Sequence, residues 1–108
     1  MEFLNRIDLR GIVGKSSVTR IGETQLCRFS LVTEYAHKDK DGNQIVEVTW
    51  HNVVAFDSKT MPDLEQIQKG SIVRVRGRVR AFRVTMADGT EKSCWEVVAR
   101  SVTIEPEK

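Results

Sequence analysis

Arg74, Arg76, Arg78 and Arg80 occupy every second position of one segment, and Phe82 takes the next place in the series. In an extended strand alternate side chains point to one face, ~6.5–7 Å apart. A row of guanidinium groups at that spacing repels itself unless a counter-charge or a phosphate lies close by. Guanidinium planes also stack on bases, and exposed aromatic rings offer π faces to unstacked nucleotides. The chemistry on offer is retention of a polyanion with its bases stacked, without bond-making. The plain alternative is a solvated strand face. It accounts for any one of these arginines, and less well for four of one sign with no acid between them.

A two-residue turn at Asp88-Gly89, inside Ala87-Asp88-Gly89-Thr90, would fix how the flanking strands pair. Ile104, Val102, Arg100 and Val98 would then face Val73, Val75, Gly77 and Val79 on a surface that is apolar except for Arg100. The other surface would set Arg74, Arg76, Arg78, Arg80 and Phe82 against Thr103, Ser101, Ala99, Val97 and Trp95. Phe82 and Trp95 would form a cross-strand aromatic pair, worth ~0.2–1 kcal/mol to the hairpin. A slip of one residue would turn the arginines inward, so the pattern favours this register.

Catalysis lacks its parts. There is no Gly-rich phosphate loop, no His-Glu-x-x-His, no Cys-x-x-Cys and no recognisable Ser/His/Asp setting. Glu34 and Glu47 could neighbour His37 and His51 on adjacent strands, but exposed polar neighbours are not a site. His37 and His51 stand outside any ligand spacing with Cys27 and Cys94, so neither a metal nor a cofactor is expected. The two cysteines read as buried, reduced thiols.

The elements that must carry these residues are mostly strands. The 108 residues suit one domain, residues 1–108. Seventeen basic against fifteen acidic residues give only +2, so net charge alone does not point to nucleic acid. No apolar run approaches the ~20 residues of a membrane span, and no signal-peptide core opens the chain. A cytoplasmic, nucleoid-associated protein with no membrane partner is expected. Ile7, Leu9, Gly11 and Val13 alternate with charged neighbours in a strand from Asn5 to Val13. Lys15–Ser17 reads as a loop and Val18–Ile21 as a short strand. Gln25–Tyr35 puts Cys27, Phe29, Leu31 and Thr33 on one parity. Asp39–Asn43 is a polar turn, and Ile45–Phe56 a strand rich in Val, Thr and Trp.

Pro62–Gln68 is the one helix signal, with Pro62 in the first turn, Asp63 and Glu65 at its positive end, and Leu64 and Ile67 on the buried side. Ile72–Val84 and Lys92–Ile104 complete the set, and Glu105–Lys108 is too short for a linker. Three strands, a short helix and two strands with hairpin signals match an all-β, five-stranded antiparallel Greek-key barrel, the OB fold. Fold alone does not fix function.

Three strings now carry a resemblance: Phe29-Ser30-Leu31-Val32-Thr33, Lys38-Asp39-Lys40-Asp41-Gly42, and Thr49-Trp50-His51-Asn52-Val53-Val54-Ala55-Phe56. They are followed by the run from Lys69-Gly70-Ser71 through Arg80 and preceded by Asn5-Arg6-Ile7 with Gly11 and Gly14. From about Asn5 to Val102 the chain resembles the bacterial single-stranded DNA-binding (SSB) family. The resemblance implies single-stranded DNA as ligand, with Trp50 and Phe56 stacking bases. It implies phosphate contacts from Arg80, Lys69, Lys38 and the matched opening Arg6. It also implies a homo-oligomer, tetramer or dimer, seated partly on the first strand at Ile7 and Leu9 and near His51.

Two family tryptophans are replaced here by His37 and Val84. Tyr35 and Phe82, two residues away, are the expected substitutes, and Trp95 adds a further ring. The sequence stops at Lys108 without the family's linker and acidic tip. Weaker binding per site and no tail-mediated recruitment are the expectation, as in an accessory or mobile-element member or a relative of the primosomal accessory protein. The competing function is a protein-interaction module of a replication or transfer complex. That reading requires an acidic partner on the arginines and Trp50 hidden from solvent.

Overall fold

Alternating apolar residues close five strands into a barrel in the computed structural model, which describes residues 3–106. The strands are β1 (Ile7–Ile21), β2 (Thr24–Lys38), β3 (Gln44–Phe56), β4 (Ile72–Thr85) and β5 (Glu91–Ile104), in ring order β1-β2-β3-β5-β4. Antiparallel pairing holds at four seams. β3 and β5 pair in parallel, Val53 with Val97 and Val54 with Val98, where antiparallel neighbours throughout were expected. The reason is directional. β4 opposes β1 and β5 opposes β4, so β5 runs the way of β3 and can close on it only in parallel. Glu107 and Lys108 of the short tail lie outside the described residues.

Cys27, Phe29 and Leu31 point inward from β2 and meet Val53 and Ala55 of β3 and Val73 and Val75 of β4. Leu64 and Ile67 are buried in the core cluster. Between them lies a 3-10 turn, Leu64–Gln66, in place of the helix expected over Pro62–Gln68. Asp63 caps it by accepting from the Glu65 N–H at 3.1 Å. Ile67 then goes extended to reach the core, which ends the helix after one turn. Ile7 and Leu9, expected at an oligomer seam, sit opposite Gly77 and Val75 and are partly buried against the core. The outward apolar pair on this part of β1 is Ile12 opposite Ile72.

Two bulges depart from the sequence reading. β1 is one strand, not two with a loop between. Its pairing with β2 shifts between Val13 and Ser16, so Gly14 and Lys15 oppose Ser30 alone. The Lys15 N–H donates to Ser30 Oγ at 2.9 Å.

The last hairpin turns through three residues, not two. Met86 N–H meets the Thr90 carbonyl at 2.7 Å, and Gly89 adopts φ +89° in the tight corner. That sets Arg80 against Glu96 and Ala81 against Trp95. A bulge at Arg100 then restores the expected register, with Arg76 on Ser101, Val75 on Val102 and Val73 on Ile104. The physical reason is Arg100 itself. The uninterrupted register would have driven it into the core, and the bulge puts buried Ala99 there and Arg100 in solvent.

At the start of the described chain Asn5 extends the β1–β4 seam with its side chain. Its amide donates to the Val79 carbonyl at 2.6 Å and its Oδ1 accepts from the Val79 N–H at 3.0 Å.

Candidate nucleic-acid interface

Trp50 stands on the outer face of β3 opposite Val32, and 60% of its surface is exposed. Its ring is backed by bare backbone. A Cβ placed on Gly14 would lie 2.6 Å from Trp50 Cζ3 and 2.8 Å from Ser30 Oγ. Glycine at the β1 bulge thus lets the indole lie close against β1 while its other face meets solvent. Along the same face follow Asn52, Val54 and Phe56, the last 36% exposed. Val54 is fully buried although it points outward, with Arg28 opposite it on β2 and Val98 beside it on β5.

One carboxylate organises the middle of this face. Glu96, on β5, is only 6% exposed and is the one buried charged residue described. Arg28 Nη1 donates to its Oε2 at 3.1 Å, and Arg80 Nε donates to its Oε1 at 2.6 Å. Arg80 Nη2 closes on the same oxygen. A buried carboxylate needs such partners to avoid a large desolvation cost. The two guanidiniums keep donors free and stay partly exposed.

The arginine row of β4 does point outward, but the sequence expectation that it lacks acids fails in space. Asp8 of β1 takes Arg74 through contacts of 2.9 and 2.7 Å and lies 3.6 Å from Arg76 Nε. The Arg74 hydrogen bond holds the Asp8 carboxyl below its ordinary value, with both arginine charges adding to it, and Asp8 in turn raises Arg74. Of the row, Arg78 alone has no ion pair among the described residues. The counter-charges come from neighbouring strands, invisible to a reading along one.

Phe82 and Trp95 do not pair. Phe82 opposes Cys94 on the outer face, while Trp95 opposes Ala81 on the other and is 65% exposed. The three-residue turn, which moves the register by one, is the cause. Tyr35 also turns away from Trp50. It opposes Glu47, stacks on His37 with ring centroids 5.6 Å apart, and His37 Nε2 sits 3.4 Å from Glu47. The rings therefore fall into two sets: Trp50, Phe56 and Phe82 on the outer face, Tyr35 and Trp95 on the face whose strand parity leads to the core.

His51 belongs to that inner parity. It contacts Thr33 Oγ1 at 2.9 Å, and burial holds its imidazole below the ordinary value. Lys38 pairs with Gln44 at the exposed hairpin end. Lys69 lies in the turn after the 3-10 segment beside Ser16 and Val18, and Arg6 precedes β1 in a cleft with Arg76 and Arg78. Arg28, Glu96 and the seat at Gly14 were missed from sequence. The outward parity of Arg28 with Ser30 and Val32 was the available signal.

A closed five-strand ring of this order, with aromatic rings and clamped arginines on its outer face, is an OB-fold barrel. The model of the single-strand binding protein family matches residues 4–105, and the chain belongs to that family. A single-stranded DNA-binding protein of Xanthomonas axonopodis pv. citri is 34% identical over 101 residues, covering 92% of this chain and 56% of its own length. Single-stranded DNA-binding protein 1 of Xylella fastidiosa is 30% identical over 105 residues, covering 94% of this chain and 77% of that protein. The chain thus spans little more than half of the Xanthomonas relative. In fold it is similar to the Plasmodium falciparum SSB complex with ssDNA, at a TM-score of 0.82 and 22% identity over 98% of both chains.

Proposed function

We propose that this chain is a sequence-tolerant single-stranded DNA-binding domain that stacks bases on Trp50 and Phe56 and holds the backbone with Arg28 and Arg80. The observation that carries the reading is Trp50, exposed over 60% of its surface yet seated on Gly14. A stacking platform requires an exposed ring held in a fixed seat, and Trp50 has both. Every base has a π face, so such a platform tolerates sequence. Phe82 extends the outer set, and Tyr35 and Trp95 offer a second one on the hairpin arms. Lys38, Lys69 and Arg6 supply charge further out. The domain acts by binding, without catalysis or cofactor.

The same family reading carries a role in replication, recombination, repair or mobile-element transfer, in the cytoplasm at the nucleoid. It also carries a homo-oligomer, dimer or tetramer, through β1. The exposed Ile12–Ile72 pair supports that seam better than Ile7 and Leu9 do, and sedimentation of an Ile12→Ser variant tests it.

Tryptophan fluorescence during titration with a thymine oligonucleotide tests the binding reading, at low and high salt and with a duplex control. Saturable quenching that weakens with salt and is far smaller with duplex is expected, with Trp50→Ala losing ~1–3 kcal/mol of affinity. No quenching and no salt-sensitive binding would turn the reading to the interaction module.

A further inference from the structure

Glu96 is buried beneath two arginines that reach it from different strands. Arg80 comes from β4, where it is the direct partner of Glu96 in the ladder. Arg28 comes from β2. Since β3 lies between β2 and β5 in the ring, the Arg28 side chain crosses a whole strand to arrive. Val54, the β3 partner of Arg28, points outward yet is fully buried. The crossing spans the seam where the barrel closes on two pairs, Val53 with Val97 and Val54 with Val98.

The carboxylate is fully engaged and the guanidiniums are not. Oε2 accepts from Arg28 Nη1, and Oε1 takes Arg80 through Nε and Nη2. Nε and Nη2 of Arg28 and Nη1 of Arg80 have no hydrogen-bond partner among the described residues. The two arginine side chains remain 57% and 37% exposed. One bidentate arginine can balance and hydrogen-bond a buried carboxylate. The second guanidinium leaves a surplus of one positive charge, which matches a single phosphodiester.

Register sets this surplus within the platform. The outward row of β3 runs Trp50, Asn52, Val54 and Phe56, and Arg28 is the β2 partner of Val54. Trp50 and Phe56 are ~20 Å apart along the extended strand. A nucleic-acid strand stacked on both rings passes the level of Arg28 on its way. Long side chains lose rotamer freedom on binding, and an arginine fixed beforehand has less to lose.

Resting on the binding function above, we propose that Glu96 is a positioning residue. It fixes Arg28 and Arg80 as the two sides of one phosphate seat, for the backbone linking the bases on Trp50 and Phe56. An acid on a DNA-binding face ordinarily repels the ligand, so this role reverses the sign expected for its removal.

The test titrates wild type, Glu96→Gln and Glu34→Gln with a thymine oligomer of about 16 nucleotides, the upper footprint of one OB fold. Affinity is followed by tryptophan quenching as salt is varied. Glu34 shares the outward face of β2, opposite Val48, exposed and with no ion pair among the described residues. Its neutralisation should leave affinity at or above wild type. Glu96→Gln also removes a negative charge, yet it should bind about fivefold or more weakly, the scale of ordering two long side chains on binding. Arg28→Ala/Arg80→Ala/Glu96→Gln removes the whole triad without stranding a buried charge. Its log–log salt slope should be shallower by about 0.7, one phosphate.

Glu96→Gln that binds as tightly as wild type, whatever its urea midpoint, makes the triad a staple of the fold and overturns the positioning role. Tighter binding does the same, since it returns Glu96 to a simple repelling charge. In the triple variant, a slope unchanged, or shallower by about 1.4 (two phosphates), overturns the single seat. That slope decides alone if Glu96→Gln fails to fold. Wild type without salt-sensitive quenching overturns the binding reading and the seat with it. Ordinary wild-type binding beside any of the other adverse results leaves the platform standing and removes only the seat.

Discussion

Arg80 Nε donates to Glu96 Oε1 at 2.6 Å, which makes an arginine of the proposed ligand face the partner of the one buried acid described. Arg80 therefore has two duties, and its loss should register in both. Arg80→Ala leaves a buried carboxylate with only Arg28, a cost of about 1–3 kcal/mol. Arg78→Ala, at a position with no ion pair among the described residues, should leave urea denaturation close to wild type. Equal midpoints for the two variants would show that the Glu96 contact contributes little to the fold. Glu96→Gln should recover part of the stability of a double variant with Arg80→Ala, since it removes the stranded charge.

Gly14→Ala should act on Trp50. The added methyl has to displace the indole or the Ser30 side chain, and overpacking of this kind costs about 1–3 kcal/mol. Tryptophan emission should change, and affinity for a thymine oligomer should fall toward that of Trp50→Ala. Unchanged emission and affinity would mean that the ring is not seated on the β1 backbone.

The two tryptophans lie on opposite strand faces, so they should report differently. Trp50→Phe should abolish most of the quenching by single-stranded DNA, while Trp95→Phe should retain it. The reverse result would place the ligand between the hairpin arms, on Tyr35 and Trp95.

His51 gives a pH dependence with a definite sign. Burial disfavours the imidazolium, so the folded-state value lies below the ordinary 6.5. The neutral ring's contribution is then fully present above 6.5 and is lost as the pH falls below it toward the folded value. Thermal melts from about pH 7.5 to about pH 5 should show a decline that His51→Gln flattens. The same decline in the variant would assign it to other groups.

Much of the fold was legible because burial repeats along a strand. The parity of Cys27, Phe29 and Leu31 holds in the barrel, as do the strand ends near Phe56, Ile72 and Ile104. The lower half of the last hairpin pairs as expected. What escaped depends on neighbours far off in sequence. Asp8 reaches Arg74 across 66 positions, and Arg28 reaches Glu96 across 68. Bulges escaped for another reason: alternation records which face a residue prefers, not where a strand skips a place. The one hint was Arg100, a charge on an otherwise apolar face, which marks the site where the register gives way.

Asn5 has a consequence for crowding. Its side chain spends both hydrogen-bonding groups of Val79 where the β1 ladder runs out. A stray strand arriving at that point finds no open donor and acceptor to copy, and an unfinished sheet border is what invites such pairing. The amide works as a stopper, guarding the barrel against end-on growth into larger sheets.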